Sequence, residues 1–596
     1  MSSLPTIFST QEDGSFISSL EQRVKSDPTV KDSDLILKYP IVYIHYWQTK
    51  LCSYIDKKGV THNWWKYNIY VGESIDVLQR TREHYDAGRS ASAWQSQLVN
   101  AVHTPQFIAI GHEHFNKSFT LDIENRLIEY VLAMGRTVDK SYNSRGNPQN
   151  CYYPSLEFDR IFSNIWRRLR KQNSELFVSE SEIRNSALFK ASPLKKLTAE
   201  QSAAKENIIE RVLNAYRTGK DGQLIIVQGE AGTGKTVLTT STFYELMTRH
   251  EADDSFPILS CSLLVNHDQQ AKVYEEMMSR LGFPEDSAGK PTKFINGHLT
   301  SKKVDVALID EGHLLWTQGK QSYRGSNQLR DIIARAKVTV LMFDEYQVLN
   351  TEQYWEPQIL EDFKDLSKKQ GNYIKLGRQL RMECSQSTMD WINELVLNQN
   401  LVAFPPDKTD YEVKAFDSPL ELQEAIEKRA SSSGTELSRL VATYDWEYKK
   451  NTIPASKPYW NVEVGSWNMP WNYELERTLA PKQRKAIKHL AWAEQPHTIG
   501  EVGSTYTIQG FDLSYVGVIL GPSVKYRGGK IVFDPTASKN DKATRNRTLS
   551  DNTTANFGGI FIRNEVKVLL GRGVKGLYIF ACDDELRHAL KTVAKI

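Results

Sequence analysis

The chain has 596 residues, too many for one hydrophobic core, so several domains are expected. Hydrophobic residues make up 40% and charged residues 25%, as in an ordinary soluble globular protein, and no apolar run approaches the ~18 residues that would cross a membrane. The 75 basic and 72 acidic residues leave a net charge of only +3, so bulk charge excludes a generally polycationic nucleic-acid binder, and any such binding requires a local arrangement of cations. The opening segment MSSLPTIFSTQEDGSF lacks the basic-then-apolar plan of a signal peptide, and Cys52, Cys151, Cys261, Cys384 and Cys582 form no CxxC pair. A reducing, cytoplasmic setting without a zinc site or disulfide framework is expected.

Residues 1–37 are polar and read as an N-terminal extension. From residue 38 to 155 the pattern predicts a compact β-β-α-β-α unit: strands IVYIHYW from Ile41 and NIYVGES from Asn68, a helix DVLQRTREHY, a strand QFIAIG and a helix LDIENRLIEYVLAM. Tyr43 and Tyr70 sit on the two strands, with Gly72 just beyond the second tyrosine. Arg80 and His84, four residues apart, share one helix face, Glu124 lies on the later helix, and Asn143 follows it. Tyrosine, arginine, histidine and a lone carboxylate suit metal-assisted phosphodiester hydrolysis: the carboxylate anchors Mg²⁺, the arginine neutralises the phosphorane, and a phenol or imidazole orients water. In order and spacing these residues resemble the GIY-YIG nuclease domain of homing and excision-repair endonucleases. That resemblance implies a catalytic set of Tyr43, Tyr70, Arg80, His84, Glu124 and Asn143, with Glu124 as metal ligand. Ile41-Val42-Tyr43 stands where glycine is usual in the first motif, and a segment of LCSYIDKKGVTHNWWK type separates the two tyrosine strands.

Residues 156–194 are charged and helical in pattern and read as a linker. From Leu197 the rhythm changes to apolar strands (LIIVQG, FPILSCS, VDVALID, KVTVLMFD, then YIKL) alternating with amphipathic helices, which predicts a parallel sheet covered on both faces, and this block is bounded at 195–370. Gly229-Glu230-Ala231-Gly232-Thr233-Gly234-Lys235-Thr236 matches the Walker A pattern in full, between a strand and a helix. Gly229, Gly232 and Gly234 let backbone N–H groups turn toward phosphate oxygens, Lys235 reaches the β and γ phosphates, and Thr236 offers a hydroxyl to Mg²⁺. The strand ending Ile309-Asp310-Glu311 delivers Asp310 as a water-mediated Mg²⁺ ligand and Glu311 to orient or deprotonate the attacking water. A third strand end carries Asp344 and Gln347, placed to sense the γ phosphate.

From 371 to 596 a second, less regular α/β block contains VGVILG and GLYIFA as central strands. An aromatic-rich stretch at about 405–500 reads as an inserted subdomain. Its tryptophans and tyrosines are interleaved with lysine and arginine, a composition suited to stacking bases of a single strand. Leu197-Thr198-Ala199-Glu200-Gln201, the Asp-Glu-Gly-His box, Asp344/Gln347, Gln379-Leu380-Arg381, Thr507 to Asp512 and Leu569 to Gly573 follow in the order of superfamily 1 helicases. Together they resemble the helicase-like domain of Schlafen proteins and of an uncharacterised bacterial P-loop family. The resemblance implies two RecA-like lobes, adenine reading by Gln201, arginine fingers at Arg381 and Arg572, and coupling of nucleotide to nucleic acid through Gln509 and Gly510. Arg378 is a nearby rival for the role of Arg381.

The α/β chain thus reads as a GIY-YIG-like nuclease domain followed by two RecA-like lobes. ATP and Mg²⁺ are its expected cofactors and nucleic acid, DNA in preference to RNA, its partner. The expected function is an ATP-dependent translocase or helicase with a fused endonuclease, suited by analogy to defence against foreign DNA. The competing readings are a regulatory NTPase that gates the nuclease without unwinding, and a nucleic-acid sensor that no longer cuts.

Overall fold

The computed structural model describes residues 4–55, 61–86, 93–142, 152–251, 253–319, 323–377, 379–405, 407–432, 437–487, 492–508 and 511–593. Asn143, Arg378, Gln509 and Gly510 lie outside the described residues. The chain divides into two compact units, one of Met1–Tyr216, Thr236–Phe294 and Val304–Leu308, the other of Arg217–Lys235, Ile295–Lys303 and Ile309–Ile596.

In the first unit, β1 (Thr6–Gln11), β2 (Ile41–Ile55), β3 (Thr61–Ser74), β4 (Gln106–Gly111) and β5 (Val138–Ser141) form a sheet in the order β1-β4-β2-β3-β5. β-Branched and aromatic residues fill β2, and its pleat sends Val42 and Ile44 into one core and Ile41 and Tyr43 into another. Helices Lys117–Ala133 and Phe158–Gln172 close the first core with Ile123, Leu127, Ile161 and Ile165. Helices Phe16–Ser26 and Val77–Asp86 close the second with Phe16, Leu20 and Val77.

The expected β-β-α-β-α order is present, and the described residues add a short helix, Ala93–Val99, and the strand β5. Two expectations need correction. The 1–37 segment is not an extension: β1 is an edge strand of the sheet, antiparallel to β4, with Ile7 opposite Ile110. Six residues with only Ile7 and Phe8 buried leave too little periodicity to read as a strand. The 156–194 segment is not a free linker either, because Ile161, Phe162, Ile165, Trp166, Leu169, Leu176 and Phe177 are buried in the first core. The stretch that separates the two tyrosine strands is the outer length of the β2–β3 hairpin, paired from Ile41–Ser74 to Ile55–Thr61.

Along the chain follow β6 (Gln223–Gly229), β7 (Cys261–Val265), β8 (Ala288–Gly289), β9 (Val304–Asp310), β10 (Ala336–Phe343) and β11 (Tyr373–Leu376). In the first unit β7 pairs with β8 in parallel. In the second, β6 lies between β10 and β11, all parallel. β11, the YIKL run, pairs with β6 in this sheet as the strand rhythm implies, so the bound drawn at residue 370 falls short of its last strand.

The rest of the second unit carries β12 (Glu412–Ala415), β13 (Arg439–Ala442), β14 (Asn461–Val464), β15 (Trp467–Pro470), β16 (Val502–Gly503), β17 (Leu513–Leu520), β18 (Val524–Arg527), β19 (Lys530–Phe533), β20 (Arg547–Thr548), β21 (Thr554–Ala555) and β22 (Gly573–Ala581). A parallel sheet runs β12-β22-β17-β13-β16, and β14–β15, β18–β19 and β20–β21 are antiparallel pairs. The aromatic-rich stretch is therefore no separate insertion, since it supplies β12 and β13 to the sheet. Trp471 is fully buried with Val462, Met469, Leu440 and Ile519, and Trp492 is buried beside Ile508. Filling this core accounts for those two side chains without any stacked base.

Candidate functional site

The P-loop leaves β6 at Gly229 and closes with Gly232 and Gly234 at φ +85° and +76°, a region that glycine enters without a Cβ penalty. A side chain at Gly229 would meet Thr233 Oγ1 at 2.6 Å, and one at Gly232 would meet Arg381 Cβ at 2.7 Å. The Lys235 ammonium donates to the carbonyls of Gly229 (2.6 Å) and Glu230 (2.8 Å) and lies 3.7 Å from Asp344 Oδ2. Thr236 is the next residue, in the first turn of helix Lys235–Thr248.

Asp310, fully buried, ends β9, and Glu311 follows at φ +50°, a conformation that non-glycine residues seldom adopt and that recurs at functional sites. Gly312 is needed beside it, because a Cβ there would meet Leu341 Cδ1 at 2.4 Å. Glu311 Oε2 is 3.3 Å from Nε2 of the fully buried His313. Burial, with the cations Lys235 and Arg572, pushes the His313 imidazole down to about 4 against the pull of Asp344 and Asp310. It is therefore neutral at physiological pH. Asp344 accepts from Gln347 Nε2 (2.7 Å) and from Tyr346 N (3.1 Å). Buried carboxylates with a threonine hydroxyl are hard oxygen donors, the chemistry that Mg²⁺ takes.

Two contacts tie later residues of the chain to this loop, and two arginines lie beside them. Leu380 N donates to Gly232 O (2.8 Å), and Arg381 Nε is held by Asp512 at 2.6 Å. Arg572, only 2% exposed, donates to Phe511 O at 3.4 Å. Burial and the neighbouring Arg381 push its guanidinium down to about 10, while Asp512, Glu311 and Asp344 pull the other way. The second contact with the loop is made by Lys567, on helix Gly558–Leu570, which pairs with Glu230 of the P-loop at 2.9 Å and lies 3.9 Å above the Tyr346 ring. Gln201 is buried in the first unit, where its side-chain oxygen accepts from Thr198 N (3.0 Å) and its own N–H bonds Thr198 Oγ1 (3.3 Å), a capping box on helix Ala199–Thr218.

In the first unit, Tyr43 and Gly72 face each other across β2 and β3, and a Cβ at Gly72 would fall 2.4 Å from the tyrosine ring. Tyr43 OH bonds His84 Nε2 at 2.7 Å, and Arg80 reaches Tyr43 and Tyr70. The Tyr70 ring stacks on Trp94 at 3.9 Å. Burial, then His45 and Arg80, push His84 down to about 3, so this imidazole is neutral and accepts. Glu124 is raised to about 8, first by burial and then by Glu73, with Lys117 and Arg80 opposing. Behind the tyrosines, the buried Glu12 accepts from His45 (2.8 Å) and from Tyr85.

Against known proteins, the model of the Schlafen group 3 DNA/RNA helicase domain matches residues 222–583. The chain belongs to this helicase-domain family. The match takes in every candidate nucleotide-site residue from Gly229 to Arg572, and leaves Gln201 and the N-terminal constellation outside it. An uncharacterized protein of Saccharomyces cerevisiae is 32% identical over 433 residues, 66% of this chain and 91% of the relative. Among solved structures, the arterivirus nonstructural protein 10 helicase is 12% identical with a TM-score of 0.26, and the match covers 65% of this chain and 65% of that one, less than two thirds of its length. The Pif1 helicase of Candida albicans is 11% identical with a TM-score of 0.25, over 67% of this chain and 98% of that one.

The structure gathers Tyr43, Tyr70, Arg80, His84 and Glu124 in one region, and Lys235, Glu311, Asp344, Arg381 and Arg572 in another. Sequence reasoning missed Glu73, Lys567 and His313. Glu73 follows Gly72 on the strand already singled out and was there to be found, and His313 lies inside the Asp-Glu-Gly-His box. Lys567 carries no local signal. Among the described residues, no group of three or more His, Cys, Asp or Glu residues is set to hold a metal ion, and no helix is long and apolar enough to cross a membrane.

Proposed function

We propose that the chain is an ATP-driven nucleic-acid translocase or helicase with a Mg²⁺-dependent endonuclease in its N-terminal part. The observation that carries the ATPase reading is the meeting of Lys235, Glu311, Asp344, Arg381 and Arg572 around one P-loop. Lys235 would leave the carbonyls of Gly229 and Glu230 for the β and γ phosphates, and Glu311 would accept a proton from the attacking water. His313, being neutral, does not compete as a cation and orients Glu311. Arg572 and Arg381 bring positive charge to the transferring phosphoryl group, and Gln347, held by Asp344, reports on the γ phosphate. Gln201 is assigned to the adenine. Thr236 and Asp310 would hold Mg²⁺, which neutralises charge on the phosphate oxygens when bound.

The nuclease reading is supported by the contact of Tyr43 with His84 and the proximity of Arg80, Tyr70 and Glu124. A neutral His84 accepts the Tyr43 hydrogen bond, which fixes the phenol so that its oxygen lone pairs can orient water, while Arg80 faces the phosphate. Glu124 would hold Mg²⁺, and its raised carboxyl would give up its proton as the cation binds. A regulatory NTPase that gates cutting without unwinding uses the same residues.

Phosphate release, strand separation and Mg²⁺-dependent cleavage of DNA and RNA, measured on one preparation, test these readings. Lys235→Ala is expected to abolish hydrolysis, and Glu311→Gln to retain ATP binding without turnover. Glu124→Ala is expected to stop cutting and leave hydrolysis intact. Hydrolysis stimulated by nucleic acid without strand separation supports the regulatory reading. Undiminished cleavage by folded Glu124→Ala protein removes the nuclease assignment.

A further inference from the structure

We infer that the outer face of helix Phe158–Gln172 is a docking surface for the phosphate backbone of a nucleic-acid duplex; this rests on the chain's proposed action on nucleic acid and assigns a contact site to it. The helix is sharply two-sided. Ile161, Phe162, Ile165, Trp166 and Leu169 are buried in the core, and Trp166 Nε1 is tied to Val178 O at 3.0 Å. The opposite face carries Arg160, Asn164, Arg167 and Lys171, at i, i+4, i+7 and i+11, with Arg170 on its flank. Arg160, Arg167, Arg170 and Lys171 are exposed.

Charge is what distinguishes this face. The helix holds five cations (Arg160, Arg167, Arg168, Arg170 and Lys171) against one carboxylate, Asp159, in a chain whose whole net charge is +3. Arg160 pairs with Glu157, and Arg168 donates to Pro5 O. Among the described residues, the Arg167 guanidinium donates to the neutral Asn164 at 3.0 Å and no carboxylate pairs with Arg167, Arg170 or Lys171. The stripe from Arg160 to Lys171 runs about 16 Å along a straight helix, over which a duplex presents one phosphate per ~1.7 Å of axis.

The same geometry selects among anionic partners. An amphipathic helix binds a lipid surface by inserting its apolar face, and here that face is inside the core. Single strands are gripped by stacking on exposed aromatics, and the outer stripe has none, since Phe162 and Trp166 point inward. A rigid cationic ridge without stacking groups matches a duplex backbone, read without regard to sequence.

The experiment measures binding of the full chain to short fluorescent DNA and RNA duplexes, to a single strand, and to vesicles of phosphatidylserine and phosphatidylcholine, from ~50 to ~200 mM salt. Wild type is compared with Arg160→Gln/Arg167→Gln/Lys171→Gln and with the charge-keeping Arg160→Lys/Arg167→Lys, and ATP hydrolysis without nucleic acid is recorded for each. The expected result is a duplex-binding slope of log K against log salt that falls in magnitude by about 2–3 in the triple variant. The lysine variant should retain its slope, and hydrolysis without nucleic acid should be unchanged in both. The DNA and RNA arms identify which duplex is bound. An unchanged slope in the triple variant, or a slope equally lost in the lysine variant, overturns this surface while leaving the chain's action on nucleic acid standing. Charge-dependent vesicle binding without duplex binding also overturns it. If wild type binds neither duplex nor strand, the proposed function fails and this surface with it.

Discussion

Arg572 combines features that seldom coincide in one side chain: it is buried, cationic, beside a second arginine, and, among the described residues, held at its guanidinium by a long bond to the Phe511 carbonyl. Keeping such a charge in place is costly unless an anion arrives to meet it. Arg572→Ala is expected to lower kcat by about 10³ or more while leaving KM within a few fold, as for a group acting on the transition state; steady-state phosphate release across ATP concentrations checks the split. Glu565 offers a second test at this scale, by pH. It is fully buried with Thr505 as a partner, and burial, then Asp445, raise its carboxyl to about 8 from an ordinary 4.5. A carboxyl raised on folding favours the protonated folded state, so its contribution is complete below pH 4.5 and is lost as pH rises through 8. Glu565→Gln should therefore melt like wild type at acid pH and above it at pH 8, each ~1 kcal/mol appearing as about 2–4 °C in Tm.

Helix Gly558–Leu570 links two things that the sequence lists apart. Its C-terminal end leads into Arg572, and one turn earlier Lys567 reaches Glu230 in the P-loop. Reversing either charge alone should slow hydrolysis, and Glu230→Lys/Lys567→Glu together should recover part of the loss, with a coupling of about 1 kcal/mol in a double-mutant cycle read by kcat and Tm. No recovery would mean that the pair does not couple helix and loop. The contrast with the Walker loop shows what was legible. Gly229 to Thr236 carry their meaning in one contiguous spacing, flanked by β6 and a helix, so local chemistry suffices. Arg572 could be reached only through a family resemblance, because burial beside Arg381 and Asp512 is a tertiary fact. Lys567 could not be reached, since its partner lies on another lobe. β1 and helix Phe158–Gln172 were misread for the complementary reason: short or highly charged segments hide their buried face until the rest of the sheet is present to receive it.

For the molecule as a whole, the local β-β-α-β-α pattern invites the expectation that a fragment ending near Cys151 folds alone. Such a fragment lacks Ile161, Phe162, Ile165, Trp166 and Leu169 from the first core. Deleting one large buried side chain costs ~2–5 kcal/mol, so losing five costs ~10–25 kcal/mol, as much as or more than the ~5–15 kcal/mol that holds a domain together. The fragment should show no cooperative melting transition by circular dichroism, whereas one ending near Phe294 restores those residues and Arg280, whose guanidinium donates to Leu132 O (2.9 Å) and Gly135 O at the end of helix Lys117–Ala133.

The interleaved membership of the first unit also governs how the chain is born. Residues 1–216 leave the ribosome without segments 236–294 and 304–308 that complete their unit. At ~5–20 residues per second the last of these follows about 5–20 s later. During that interval the end of helix Lys117–Ala133 lacks its Arg280 contacts. The nascent chain must therefore wait for its own downstream segments, and its yield should depend on translation speed across residues 217–308 and on chaperones that occupy exposed apolar surface meanwhile.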